Sequence, residues 1–311
     1  MNYINTLREG DNVSEIYFCK TKIVAQAKTG KTYYSLQLQD KTGTIDAKIW
    51  DLSNAIEHFE SMDYIKVDGQ VISYNNALQM NIRRVKKAQE GTYDEAEYMP
   101  YTKKNVEEMF TELTGFINSV ENEYLSRLLK SFFDNPDFAK RFKKGSAAKA
   151  VHHSYIGGLL QHTLAVTKMC DFLAENYEII NRDLLITAAI CHDIGKLHEL
   201  SKFPENDYTD EGNMLGHIVI GAMMVRDKAN EIPGFPALLQ TELEHCILAH
   251  HGELEYGSPK KPELVEAVAL SFADNTDAKM ESFRMAIEGS LPDPWMGYNK
   301  WFDSNIRKTT V

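Results

Sequence analysis

Between residues 16 and 85 the apolar positions recur with a period close to two. Ile16–Ala25 and Thr32–Gln39 are rich in β-branched and aromatic residues, Asp40-Lys-Thr-Gly43 is a turn signal, and Thr44–Trp50 follows as a third strand. Leu52–Phe59 has the spacing of a short helix. Tyr64–Ser73 and Leu78–Val85, joined through Asn75-Asn76, predict two more strands. From Asn105 onward the period becomes helical. Asn105 followed by Glu108 has the form of a capping box, and Val106, Met109, Phe110, Leu113, Phe116 and Ile117 fall on one face. Further helices are predicted around 122–133, 158–177, 182–192, 214–230, 236–251 and 262–287, with Pro262 in the first turn of the last.

The predicted fold class is therefore α+β and multidomain: a small N-terminal β-barrel over 1–88, a linker over 89–104 containing Gly91, Pro100 and acidic residues, an all-α bundle over 105–288, and a tail over 289–311. Three strands, a short helix and two strands is the order of an OB-fold. The stretch Tyr34–Trp50 resembles the strand-turn-strand of nucleic-acid-binding OB domains. In the tail, Pro292, Pro294, Trp295, Tyr298 and Trp301 are aromatics and prolines able to pack on a neighbouring subunit or on the chain's own bundle.

Composition narrows the setting. The longest apolar run, Leu184–Cys191, is far short of the ~18–20 residues that span a bilayer, so no membrane partner is expected. The N-terminus lacks a basic stretch followed by an apolar one, and Cys19, Cys170, Cys191 and Cys246 form no CxxC pair, which reads as a reduced, cytoplasmic setting. The net charge of −11 argues against a nucleic-acid partner until its distribution is seen: residues 1–90 carry +1 and residues 91–311 carry −12. Basic clusters remain at Arg83–Lys87 and Lys140–Lys144, and phosphate binding depends on the local field.

Every histidine but His58 lies between His152 and His251. An ordered set runs His162, His192-Asp193, His217, His250-His251 and Asp274, each on or at the end of a different predicted helix, so a bundle can aim them at one site. Imidazole with carboxylate suits Mn²⁺, Fe²⁺, Co²⁺ or Zn²⁺, and the lack of paired cysteines argues against structural zinc. His58 and His245 are read as ordinary structural residues, and His198 as facing solvent.

His162, His192-Asp193 and Asp274 resemble the signature of the HD superfamily of metal-dependent phosphohydrolases. The resemblance implies that these four hold one divalent ion, and that His217, His250 and His251 hold a second, with Asp193 bridging. Two ions would activate a water and clamp a phosphoryl group for in-line displacement. Asp193 and Lys196 are the catalytic candidates: Gly195 would let the chain leave the helix, and Lys196 would reach a non-bridging phosphate oxygen or else pair with Glu199 at the surface. His250-His251 runs into Gly252-Glu-Leu-Glu-Tyr-Gly-Ser-Pro259, not the loop of cyclic-di-GMP phosphodiesterases.

The combination of an OB domain with an HD domain, Val151-His-His-Ser-Tyr-Ile-Gly-Gly-Leu-Leu-Gln-His-Thr-Leu164 and Ala249–Pro259 resembles the YhaM family of 3′–5′ exoribonucleases. The resemblance implies a Mn²⁺-dependent enzyme that degrades single-stranded RNA to nucleoside 5′-monophosphates, with single-stranded DNA as a second substrate candidate. His153, within the matching stretch, is a substrate-contact candidate. On the barrel, OB-folds stack bases on aromatics and track phosphates with cations. The candidates there are Tyr33, Tyr34, Trp50 and Tyr74 with Lys31, Lys48, Arg83 and Arg84, of which Tyr34, Trp50, Arg83 and Arg84 lead. Two other functions fit the same residues: a nucleotide or cyclic-nucleotide phosphohydrolase whose barrel serves assembly, including homo-oligomers, and a catalytically silent nucleic-acid adaptor.

Overall fold

The barrel strands alternate as a half-buried sheet should. In the computed structural model, which describes residues 1–27, 29–52, 55–75, 77–149, 153–288 and 294–310, they are β1 (Asn12–Gln26), β2 (Thr32–Asp40), β3 (Gly43–Ile49), β4 (Tyr64–Tyr74) and β5 (Ala77–Lys87). They close in the order β1-β2-β3-β5-β4, with β3 and β5 parallel and the other pairs antiparallel. This is the five-stranded OB barrel expected. Leu36, Leu38, Ile45, Ala47, Ile49, Ile65, Val67, Val71, Met80, Ile82 and Val85 fill its interior. The β4–β5 register shifts between Asp68, opposite Arg84, and Gly69, opposite Ile82, leaving Arg83 as an extra residue. That bulge is why Arg83 and Arg84 are both exposed although adjacent in a strand.

The short helix expected over Leu52–Phe59 does not form among its described residues. Ile56 makes a parallel bridge to Val85, and Phe59 is buried in the barrel. The apolar spacing there serves two anchors of a connecting segment. Asn76 of the expected Asn75-Asn76 turn lies outside the described residues, and Asn75 takes a left-handed φ of 50°.

The chain divides into two compact units, Met1–Tyr101 with Lys202–Glu205, and Thr102–Ser201 with Asn206–Val311. The second is helical. Its elements are α1 (Val106–Asn118), α2 (Glu123–Phe133), α3 (Pro136–Lys144), α4 (Gly158–Asn176), α5 (Arg182–Cys191), α6 (Lys196–Glu199), α7 (Asp210–Asn230), α8 (Ala237–Leu248) and α9 (Val265–Glu288). Asn105 caps α1 by accepting from the N–H groups of Glu107 and Glu108, and its amide donates to the Glu108 carboxylate. Pro262 precedes the first turn of α9, which begins at Val265.

Helix α3, the short α6 and a hairpin in the tail escaped the periodicity. Helix α3 starts at an Asn135 cap with Pro136 at its first position, and the Lys140–Lys144 cluster forms its last turn, where cations meet the helix dipole. There Lys143 pairs with Glu107 and Arg141 donates to the Leu197 carbonyl. In the tail, β6 (Trp295–Asn299) and β7 (Ser304–Arg307) form a hairpin, and Phe302 packs on Phe283 of α9 at 4.0 Å between ring centres. Trp295, Tyr298 and Trp301 remain exposed, and Pro292 lies outside the described residues.

Helix α5 is central. Every residue from Leu184 to Cys191 is buried, as a helix apolar on all sides requires, and α2, α4, α8 and α9 pack around it. Its C-terminal end is therefore fixed from several directions. The next two residues are His192 and Asp193.

Candidate metal centre and nucleic-acid face

Five elements of the helical unit converge on Asp193, which is 1% exposed. Its Oδ2 lies 3.4 Å from His162 Nε2 of α4 and 3.4 Å from His192 Nε2. Asp274 Oδ1 of α9 lies 3.1 Å from His162 Nε2 and 3.9 Å from His192 Nε2. The other oxygen, Oδ1, faces His217 Nε2 of α7 at 3.5 Å and His250 Nε2, just beyond α8, at 3.8 Å. His251 closes the second group, with its ring centre 5.2 Å from that of His217. The structure thus brings together all seven residues of the ordered set, and one carboxylate presents a different oxygen to each half.

The imidazoles share one orientation. His192 and His250 donate from Nδ1 to the carbonyls of Ala189 and Ile247, three residues back, and His251 donates to the Tyr256 carbonyl. His217 Nδ1 donates to Glu199 Oε1 at 2.9 Å, and His162 Nδ1 donates to Asp277 Oδ2 at 2.7 Å. With Nδ1 donating, Nε2 is left as the lone-pair atom on His217 and His250, the arrangement that ligating histidines adopt, while His162 Nε2 lies 3.2 Å from His192 Nε2, so one of that pair carries a hydrogen. Asp193 Oδ1, His217 Nε2 and His250 Nε2 are buried and accept no hydrogen bond. Such orphaned acceptors are costly unless a cation completes them. The donor set fits a divalent ion of the Mn²⁺, Fe²⁺, Co²⁺ or Zn²⁺ class.

The electrostatics follow from the same contacts. Burial alone would push the Asp193 carboxyl up, but the Lys196 ammonium and the flanking imidazoles hold it well below the usual carboxylate range. Burial and the neighbouring His251 and His192 push His250 well below the ordinary histidine value, so it stays neutral. His162 goes the other way, raised because Asp193, Asp274 and Asp277 together outweigh its burial.

Two glycines fix this geometry, neither by simply ending a helix. Gly195 has ordinary helical angles, φ −60° and ψ −24°. A Cβ there would lie 2.0 Å from the His217 carbonyl oxygen, so glycine is needed for α7 to approach. Gly216 breaks α7 with φ 72° and ψ 156°, which frees the His217 N–H to donate to Glu199 Oε1 at 2.9 Å. Glu199 thereby holds both the backbone and the ring of His217.

The remaining predicted residues fall elsewhere. Lys196 pairs with neither surface nor Glu199: its Nζ bonds Asp193 Oδ2 at 2.6 Å. His153 is 1% exposed, with Nδ1 2.9 Å from the Tyr155 hydroxyl and Nε2 2.9 Å from Asp277, so both ring nitrogens meet protein groups and not an open surface. His152 lies outside the described residues. His245 accepts from the Glu263 N–H, and His58 and His198 are exposed. Asp277 and Glu199 were missed; Asp277 could have been found from its position one turn beyond Asp274.

On the barrel, the alternation that buries Leu36 and Leu38 also turns Tyr34 inward, against Phe59 and beneath Lys22. Tyr33 points outward and stacks on the half-exposed Trp50 at 4.4 Å between ring centres. Trp50 Nε1 donates to Asn81, and Lys48 Nζ lies over the Tyr33 ring. The stacked pair on the outer side of the barrel is therefore a half-buried Tyr33 and the exposed Trp50. Arg84 borders a shallow groove with Lys66, Lys86, Ser14 and Asp68.

The OB-fold nucleic acid binding domain family matches residues 20–88, and the HD domain family matches residues 159–279. A 3′–5′ exoribonuclease YhaM of Geobacillus sp. (strain WCH70) is 34% identical over 285 residues, which is 91% of this chain and 87% of that one. The protein of the same name from Bacillus velezensis is 34% identical over 288 residues, 91% of this chain and 90% of that one. Among the described residues, no helix is long and apolar enough to cross a membrane.

Proposed function

We propose that this chain, which belongs to the YhaM family of 3′–5′ exoribonucleases, hydrolyses single-stranded RNA from its 3′ end to nucleoside 5′-monophosphates at the centre around Asp193. The observation that carries the reading is the division of Asp193 between two sets of Nε2 atoms, Oδ2 toward His162 and His192 and Oδ1 toward His217 and His250. His162, His192, Asp193 and Asp274 would hold one divalent ion; His217, His250 and His251 with Asp193 would hold a second, and Mn²⁺ is the ion we assign to both. A bound pair of such ions supplies a nucleophile at neutral pH and neutralises charge developing on the phosphoryl group.

The chain's own groups do the rest. The carbonyls and carboxylates on Nδ1 keep every ring aimed inward before substrate arrives, so no reorganisation is needed at the reaction. Lys196, whose ammonium already lies in the site, is the residue we assign to a non-bridging phosphate oxygen. On the barrel, the Tyr33–Trp50 stack offers π-faces to bases whatever their sequence, while Lys48, Arg83 and Arg84 follow the backbone; single-stranded DNA offers the same faces.

The test is a 5′-labelled single-stranded RNA incubated with protein and Mn²⁺, resolved on a denaturing gel. A ladder shortening stepwise from the 3′ end, absent with EDTA and with Asp193→Ala, is expected. Intact RNA under conditions where the protein holds Mn²⁺ would overturn the reading.

A further inference from the structure

Asp274 and Asp277 lie one turn apart on α9, and the same face continues through Glu281 and Arg284. Asp277 is not in the ordered ligand set, yet its Oδ2 accepts from two buried imidazoles, His162 Nδ1 at 2.7 Å and His153 Nε2 at 2.9 Å. His162 is thus unlike His192, His250 and His251, whose Nδ1 groups are fixed by backbone carbonyls. Its tautomer depends on a side chain that something else must hold.

His153 is placed to do that. Its backbone takes a left-handed φ of 56°, and its carbonyl accepts from the Ala147 N–H. Gly158, at the start of α4, passes so close that a Cβ there would lie 2.0 Å from the His153 oxygen. Four residues into that helix is His162. On the far side of the His153 ring, Tyr155 bonds Nδ1 at 2.9 Å and Glu281 at 3.3 Å, and Arg284 donates to Glu281 at 2.7 Å. A row of polar contacts therefore runs along one face of α9 and ends at His162, with the single Tyr155 hydroxyl hydrogen serving either Glu281 or His153 Nδ1.

We propose that Asp277 is a positioning residue for the metal centre: it keeps the proton of His162 on Nδ1, so that Nε2 faces Asp193 and Asp274, and His153 holds the Asp277 carboxylate in place. The proposal rests on the metal-centre reading above. A His162 released from Asp277 can put its proton on Nε2 and present a donor where a lone pair is required. Second-sphere carboxylates that orient a ligating histidine have this effect.

The test measures Mn²⁺ binding to the full-length protein by titration calorimetry, with circular dichroism to check folding. Asp277→Ala is expected to weaken binding about 10–100-fold. Asp277→Asn keeps an acceptor without the charge and is expected to lose several-fold, since charged acceptors bond about twice as strongly. His153→Gln should fall between wild type and Asp277→Ala. In a His162→Ala background, removing Asp277 should cost less than about twofold more, as coupled residues require. Excess Mn²⁺ should restore kcat in an Asp277→Ala protein that circular dichroism shows to be folded before Mn²⁺ is added, which excludes rescue of an unfolded fraction.

Wild-type affinity in a folded Asp277→Ala, or in Asp277→Asn if the alanine variant does not fold, would overturn the proposal. So would an equal loss in the His162→Ala background. Absence of Mn²⁺ binding by the wild type would overturn the metal-centre reading itself, and this inference with it.

Discussion

Lys196 Nζ lies 2.6 Å from Asp193 Oδ2, with the two side chains only 12% and 1% exposed. The ammonium thus occupies one oxygen of the carboxylate whose other oxygen, Oδ1, accepts no hydrogen bond. In the metal-free protein it supplies countercharge that Asp193 would otherwise lack. Lys196→Met should then cost about 3 kcal/mol in urea unfolding with EDTA present, the scale for breaking a buried pair from one side. Added Mn²⁺ should close most of that gap, because a bound cation meets the same need. An equal loss with and without Mn²⁺ would contradict this.

Gly216 holds angles essentially reserved for glycine, one residue before His217. A Cβ there meets only the Glu199 carboxylate, at 4.0 Å, so the cost of Gly216→Ala is conformational and not steric. It is expected to destabilise by about 1–3 kcal/mol. It should also weaken Mn²⁺ binding by displacing the His217 N–H from Glu199. Unchanged Mn²⁺ affinity would show that the kink does not position His217.

Parity along β2 separates two adjacent tyrosines. Trp50→Ala or Tyr33→Ala should weaken single-strand binding by about 1–3 kcal/mol, the value of one stacked base, raising KM while kcat stays near wild type. Tyr34→Ala should instead lower the melting temperature, because its ring packs against the barrel interior. Fluorescence anisotropy with labelled oligonucleotides and thermal unfolding distinguish the two outcomes.

The pH dependence of the metal-free protein follows from opposed histidines. His250 and His251 titrate below the ordinary histidine value of about 6.5, chiefly through burial. As pH falls below that value the unfolded chain takes up protons first, so their contribution to stability is present above it and lost as pH falls. His162 is raised, so its contribution is full below the ordinary value and lost as pH rises through its folded pKa. Stability in EDTA should therefore peak near pH ~6.5, and His250→Gln should flatten the acid side. A profile with no acid-side change in His250→Gln would contradict the burial of a neutral ring.

Much of this site was legible in the chain. The ligands sit at helix ends and turns whose apolar flanks announce them, and their order matched a known signature. Glu199 was not legible, and Asp277 only through its place one turn beyond Asp274, because a single carboxylate on a helix face reads as a solvated charge until packing puts an imidazole against it. Glu199 looked like a surface partner for Lys196 three residues earlier, whereas the fold turns it to His217. Tyr33 and Tyr34 could have been separated, since Leu36 and Leu38 already fix which parity faces inward. Leu52–Phe59 could not, because two anchors three residues apart suit one helical turn and a bridging segment equally well.

Anomalous diffraction from crystals of the wild-type protein soaked in Mn²⁺ tests most directly whether Asp193 joins two metal sites. Two peaks are expected about 3.5–4 Å apart, one near His162, His192 and Asp274 and the other near His217 and His250, with Asp193 touching both. No peak at Asp193, or a single peak that leaves Oδ1 and the Nε2 atoms of His217 and His250 without a partner, would contradict it.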